Sequence, residues 1–135
     1  MNKNILITGG AGFIGYHLSK ELVKKGYKIF LIDNLSRGQF DLEFKNFIKK
    51  NNIKFFKKDL KKKLKLNIKN LHYIFHLAGS VGVKNINKEP YQALINNIIT
   101  LKNIIDFNNK QKNSAKIILF STSEVYSPLI KNHQV

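Results

Sequence analysis

Hydrophobic positions along this chain follow two different periods. Continuous apolar runs such as Ile5-Leu6-Ile7 and Ile29-Phe30-Leu31-Ile32 lack polar alternation, as expected for parallel strands buried on both faces. Between those runs Phe13, Ile14, Leu18, Leu22 and Val23 recur at helical spacing, which predicts an amphipathic helix. Carried along the chain, the pattern predicts strands near 4–8, 28–33, 53–57, 72–77 and 115–121, and helices near 13–25, 41–50 and 90–109. Alternating strands and helices imply right-handed βαβ crossovers and a parallel sheet. In the helix near 90–109, Ala93, Leu94, Ile98, Leu101, Ile104 and Ile105 form a stripe that is expected to face the core, with Asn97 at its margin. Pro90 suits a first helical turn and Pro128 falls beyond the last strand. No internal repeat and no Pro/Gly/Ser linker divides the chain.

The junction between the first strand and the first helix reads Thr8-Gly9-Gly10-Ala11-Gly12-Phe13-Ile14-Gly15. In the spacing Gly9-x-x-Gly12-x-x-Gly15 each glycine has its own physical use, since the three permit the tight turn, the approach of backbone to a pyrophosphate, and close packing of helix on strand. The helix start, at Phe13 and Ile14, offers unpaired N–H groups and a positive dipole end to phosphates. A strand before the glycines and a helix after them are the context that makes this motif informative.

Asp33 closes the second apolar run and lies 18 residues beyond Gly15. Its carboxylate can accept from a ribose 2′-OH and would repel a 2′-phosphate, which favours NAD over NADP. Asp33 also reads as the start of a turn with Asn34, and Arg37 stands close by as a site for a 2′-phosphate.

With these residues in hand, through Asp33-Asn34-Leu35-Ser36-Arg37-Gly38, the chain resembles the extended short-chain dehydrogenase/reductase superfamily, specifically the NAD-dependent sugar-nucleotide epimerases and dehydratases. Later segments agree in order and spacing. Ile53-Lys54-Phe55-Phe56, running into Lys57-Lys58-Asp59-Leu60, resembles the third strand, whose terminal Asp-Leu meets the adenine ring. Tyr73-Ile74-Phe75-His76-Leu77-Ala78-Gly79 resembles the fourth, where the last residues pass close to the cofactor. Asn97 and Asn103 match the Asn-x5-Asn helix motif, with Thr100 where glycine is more usual, and the resemblance implies that the Asn97 amide faces the nicotinamide pocket. Phe120-Ser121-Thr122-Ser123-Glu124-Val125-Tyr126 resembles the segment that carries catalytic hydroxyl and acid groups.

The resemblance implies a Rossmann-type α/β fold, a doubly wound parallel sheet of strand order 3-2-1-4-5. It also implies one partial NAD-binding domain over 1–135, without later strands or a C-terminal substrate-binding region. The cofactor-binding set so implied is Gly9, Gly12, Phe13, Ile14, Gly15, Asp33, Asn34, Asp59, Leu60, Leu77, Ala78, Gly79, Asn97 and Ser121; the catalytic set is Thr122, Ser123 and Glu124. The Thr-Ser-Glu form looks more like nucleotide-sugar decarboxylases, GDP-mannose dehydratase and some epimerases than like dTDP-glucose dehydratases, which carry an Asp-Glu pair. Ser123 stands in place of that Asp, and Val125-Tyr126-Ser127 departs from Val-Tyr-Gly. Taken alone, Ser121 to Ser123 also read as a polar turn with capping hydroxyls.

In this family NAD oxidises a hydroxyl of a nucleotide-bound sugar, and the ketone permits epimerisation, dehydration or decarboxylation. The resemblance implies that Thr122 shares the hydroxyl's hydrogen-bond relay and that Glu124 is acid or base on the adjacent carbon. The base is a Tyr-x3-Lys pair, because an ordinary tyrosine of pKa ~10 is protonated at neutral pH and a neighbouring ammonium stabilises its phenolate. That pair belongs after Glu124, where this sequence has none. Tyr16-x3-Lys20 has the spacing, but it lies on the first helix and reads as coincidence in a lysine-rich stretch. The sequence therefore reads as the N-terminal portion of such an enzyme, inactive alone, binding a nucleotide-sugar when the rest is supplied and a homodimer in its full-length form. The competing reading is an NAD-binding module without chemistry.

Composition changes this picture little. The formal charge of +16 first suggests nucleic acid or an acidic membrane surface. Of the 24 basic residues, however, only Arg37 is arginine, and base reading and planar phosphate recognition favour arginine forks. No specific nucleic-acid partner is expected, only salt-sensitive association with polyanions. Cysteine is absent and His17, His72, His76 and His133 lack ligand spacing, so neither disulfides nor a metal site is expected. No signal sequence opens the chain and no apolar run approaches the roughly 20 residues of a membrane span. A cytoplasmic location is expected.

Overall fold

The computed structural model of the chain describes residues 3–80 and 89–121. In order, the elements are β1 (Asn4–Thr8), α1 (Phe13–Lys24), β2 (Lys28–Asp33), α2 (Leu42–Lys50), β3 (Lys54–Lys57), β4 (Leu71–His76), α3 (Pro90–Asn109) and β5 (Lys116–Leu119). The strands form one five-stranded sheet of order β3-β2-β1-β4-β5, and every pairing is parallel. This is the doubly wound Rossmann-type arrangement expected from the sequence.

The branched, uninterrupted strands are buried on both faces, as parallel strands flanked by helices require. Ile5 and Ile7 pack with Leu31 and Phe44 on the side of α1 and α2. Leu6 points the other way, into a cluster with Phe30, Ile32, Ile74, Ile104 and Phe107 on the side of α3. Local chemistry sets the helix boundaries. Gly26, at φ 78°, turns the chain out of α1 and donates its N–H to the Val23 carbonyl at 2.9 Å. Asp41 caps α2 by accepting from the Phe44 N–H at 2.8 Å. Pro90 occupies the first turn of α3, as its missing N–H allows.

Two burial expectations are corrected. Of the stripe expected to face the core, Ile104 is buried but Leu94, Ile98 and Ile105 are exposed, and Thr100, Asn103, Phe107 and Asn108 complete the buried face of α3. The helix turns inward the stripe whose polar members find partners. Asn103 Nδ2 donates to the Leu60 carbonyl at 2.8 Å. The Asn108 amide both donates to and accepts from the Ala115 backbone, at 2.9 and 2.8 Å. Thr100 Oγ1 donates to the Asn97 carbonyl at 3.0 Å. Phe13 and Ile14 are the second correction, being 80% and 56% exposed. They open α1 where it meets solvent, and the burial of that helix runs through Gly15 and Ser19 instead.

Among the described residues β3 and β5 pair on one side only, and Leu119 and Phe120 are exposed at the end of β5, which leaves an apolar edge there. No described helix is long and apolar enough to cross a membrane.

Candidate functional site

Because every strand is parallel, all carboxyl ends open on one side of the sheet. The helices that follow β1 and β4 lie on opposite faces, so a crevice forms between these two neighbouring strand ends. The glycine loop floors it. Gly9 has φ 69°, and a Cβ there would lie 3.0 Å from the Ala78 nitrogen. At Gly15 a Cβ would lie 2.3 Å from the Gly9 carbonyl oxygen, so the first turn of α1 presses on the loop more closely than any side chain allows. Gly12 is the N-cap, with no side chain to satisfy the helix. The N–H groups at the start of α1 and the positive dipole end therefore face the crevice with no acid in the helix's own first turn. A dinucleotide pyrophosphate fits these residues.

Asp33 stands beside this loop at the end of β2. Its Oδ2 accepts from the Ala11 N–H at 3.0 Å and its Oδ1 from the Leu35 N–H at 2.7 Å. The second bond is a turn of the kind that Asp initiates, and Asn34 makes another by accepting from the Ser36 N–H at 2.9 Å. Asp33 thus starts a turn and ties it to the glycine loop. Each of its oxygens keeps a second lone pair.

The opposite wall hangs on Thr8. Its buried hydroxyl accepts from the N–H groups of Leu77 and Ala78, both at 3.1 Å. With both acceptor sites used, its proton goes to His76 Nδ1, 2.9 Å away. His76 is therefore a neutral imidazole with its proton on Nε2, and burial holds its pKa below the ordinary histidine value. Beyond Ala78, the Asn97 amide clamps the loop: Oδ1 accepts from the Ser80 N–H at 2.6 Å and Nδ2 donates to the Ser80 carbonyl at 3.3 Å. Gly79 makes room, since a Cβ there would lie 3.3 Å from Asn97 Oδ1. The exposed Asn97 side chain is thus directed at the loop backbone.

Asp59 and Leu60 follow β3. Asp59 turns its Oδ1 onto the Lys61 N–H at 2.9 Å, and the Leu60 side chain belongs to the core cluster. Ser121 is exposed after β5. Thr122, Ser123 and Glu124 lie outside the described residues, as do Tyr126, Pro128 and His133. The structure thus brings Gly9, Gly12, Gly15, Asp33, Leu77, Ala78, Gly79 and Asn97 around one crevice.

Tyr16-x3-Lys20 does not form a base. The Tyr16 hydroxyl donates to Glu43 Oε1 at 2.5 Å, and that bond is the main cause that pushes its pKa up to about 12, opposite to what a base requires.

Sequence reading missed Thr8 and Ser80 as parts of the site. The Thr8 hydroxyl carried a local signal, a polar residue ending an otherwise apolar strand, whereas Ser80 is involved only through its backbone and left none.

Residues 6–134 match the family model for GDP-mannose 4,6 dehydratase. The chain is 37% identical over 128 residues to the UDP-N-acetyl-alpha-D-glucosaminuronate decarboxylase of Bacillus cytotoxicus, covering 93% of this chain and 38% of that protein. Its fold superposes on the UDP-Glc/GlcNAc 4-epimerase of Campylobacter jejuni with a TM-score of 0.78 at 28% identity, covering 93% of this chain and 39% of that one. It superposes on the UDP-glucose 4-epimerase of Bifidobacterium longum, solved in complex with NAD+ and UDP, with a TM-score of 0.77 at 26% identity, covering 92% and 38%. The chain therefore spans about two fifths of the length of these relatives. It belongs to the NAD-dependent sugar-nucleotide epimerase/dehydratase family of extended short-chain dehydrogenases/reductases, and matches the N-terminal part of its longer members.

Proposed function

We propose that the crevice between β1 and β4 binds NAD, as the cofactor half of an epimerase, dehydratase or decarboxylase acting on a nucleotide-sugar. The observation that carries this reading is the hydrogen bond from Ala11 N–H to Asp33 Oδ2 at 3.0 Å. It holds the glycine-capped start of α1 and a ribose acceptor within one contact of each other. Phe13 and Ile14 bind the pyrophosphate through their N–H groups, and Gly12, whose own N–H donates to the Gly9 carbonyl at 3.1 Å, lets the phosphate approach the backbone. The free lone pairs of Asp33 accept from the adenosine ribose, and its charge disfavours a 2′-phosphate. Asp59 borders the adenine, and the loop from Leu77 to Gly79, clamped by Asn97, forms the nicotinamide wall.

Bound NAD supplies a reversible hydride acceptor for a sugar hydroxyl. Thr122 would hold that hydroxyl in a hydrogen-bond relay while Glu124 moves a proton at the neighbouring carbon, with Ser121 and Ser123 as flanking hydroxyls. The only Tyr-x3-Lys in these 135 residues is Tyr16-x3-Lys20, whose tyrosine is held protonated by Glu43. By itself the chain is accordingly expected to bind the dinucleotide without turning over.

The test is NADH binding followed by the dinucleotide's own fluorescence, together with an assay for NADH formation from UDP-sugars. Wild type should bind NADH in the micromolar range and form none from UDP-sugars. Gly12→Ala, at a backbone φ of −78° that alanine adopts readily, brings its Cβ to 3.3 Å from the Gly9 carbonyl oxygen; with its fold checked by circular dichroism, it should bind about tenfold more weakly because its methyl stands in the phosphate's approach. Equal affinity of the two proteins would remove the glycine loop from the site. NADH formed from a UDP-sugar would overturn the assignment of the chain as cofactor half alone.

A further inference from the structure

A run of positive charge leaves β3 beside the crevice. From Lys57 to Lys63 there are five lysines and one acid, Asp59. This stretch leaves the carboxyl end of β3, so the parallel sheet delivers it to the same end as the glycine loop and Asp33. Lys57 stands in register with Asp33, and the Lys58 N–H donates to the Asp33 carbonyl at 3.0 Å. The backbone beyond is pinned. Leu60 is 4% exposed and its carbonyl is held by Asn103, and Ile68 is buried farther on. Between these anchors Lys61, Lys62 and Lys63 are exposed. Asp59 offsets one of these charges, its Oδ2 lying 3.8 Å from Lys61 Nζ, and leaves the run net positive.

We propose that this lysine belt is a capture surface for phosphate-bearing ligands, one that speeds the arrival of the anionic dinucleotide at the crevice. The inference rests on the cofactor reading above and adds how the site is reached. Exposed lysines on flexible stems make weak contacts in a bound state, yet each contributes fully to a field that extends about 10 Å at 0.1 M salt. Such charges act on association rates and leave dissociation to the buried contacts. Lys25, Lys110 and Lys112 carry the same charge at the opposite end of the sheet, where α1 leads into β2 and α3 leads into β5. They have no part in the belt.

The experiment is stopped-flow binding of NADH to the 135-residue chain at salt concentrations from about 20 to about 300 mM. The absence of tryptophan leaves the dinucleotide's fluorescence as the signal. Wild-type association should slow about tenfold across that range. The triple variant Lys61→Gln, Lys62→Gln, Lys63→Gln should associate several-fold more slowly at low salt, with a shallower salt slope and an unchanged dissociation rate. The control triple Lys25→Gln, Lys110→Gln, Lys112→Gln should keep most of the wild-type rate. Equal slowing in both triples would assign the effect to net charge and overturn the belt, as would a salt-independent wild-type rate. Absence of an NADH signal in all three proteins would overturn the cofactor reading itself, and the capture surface with it.

Discussion

At Thr8 one hydroxyl carries three hydrogen bonds and thereby joins the two loops that border the crevice. Replacing it with the isosteric valine removes the acceptor from the Leu77 and Ala78 N–H groups while keeping the volume. Thr8→Val should cost roughly 1–3 kcal/mol in urea unfolding, and Thr8→Ser should recover most of that loss. Its partner His76 makes the same junction sensitive to acid. Burial lowers the folded-state pKa of His76 below the ordinary value of 6.5, so the unfolded chain takes up the proton first as the pH falls. The stability this residue contributes is fully present above pH 6.5 and is lost as the pH falls from there through the folded-state pKa. Urea midpoints of wild type and His76→Asn, compared at neutral and mildly acid pH, should show this slope in wild type and a shallower one in the variant. Little of this network was legible in the sequence, because its members lie 68 to 70 residues apart. The glycines were legible, because their spacing is local.

Among the elements, the strands and helices were readable almost to the residue, since continuous apolar runs and helical spacing alternate cleanly. The inward face of α3 was not. Two stripes compete on that helix, and the more apolar one, through Leu94, Ile98 and Ile105, faces outward. The buried stripe carries Thr100, Asn103 and Asn108, whose bonds to Asn97, Leu60 and Ala115 exist only in the assembled sheet. Hydrophobicity alone ranks the stripes in the wrong order, because it assigns the full desolvation penalty to polar groups that the fold satisfies. Ile104 is buried in both accounts, whereas Leu94, exposed in the structure, separates them. Ile104→Ala should destabilise by about 2–5 kcal/mol, and Leu94→Lys should change stability by less than about 0.5 kcal/mol. Comparable losses at the two positions in a denaturant titration would restore the apolar stripe as the core-facing one.

At the scale of the molecule, the strand order β3-β2-β1-β4-β5 follows from connection length and handedness, and it creates the crevice without any residue dedicated to that purpose. The family segments line up around it: the glycine loop on one wall, Asp33 beside it, the loop held by Thr8 and Asn97 opposite. The segment from Thr122 to Glu124 and the identity of the sugar remain matters of family likeness, since their neighbours in space are not set by local sequence pattern. If this crevice binds NAD and Asp33 selects it over NADP, calorimetric titration of the 135-residue chain with each dinucleotide is the most direct test. The expected result is micromolar binding of NAD, at least tenfold weaker binding of NADP, and a narrowing of that difference in Asp33→Asn. No heat of binding for NAD at about 1 mM, a range in which even weak sites register, or equal affinity for both dinucleotides in wild type, would contradict it.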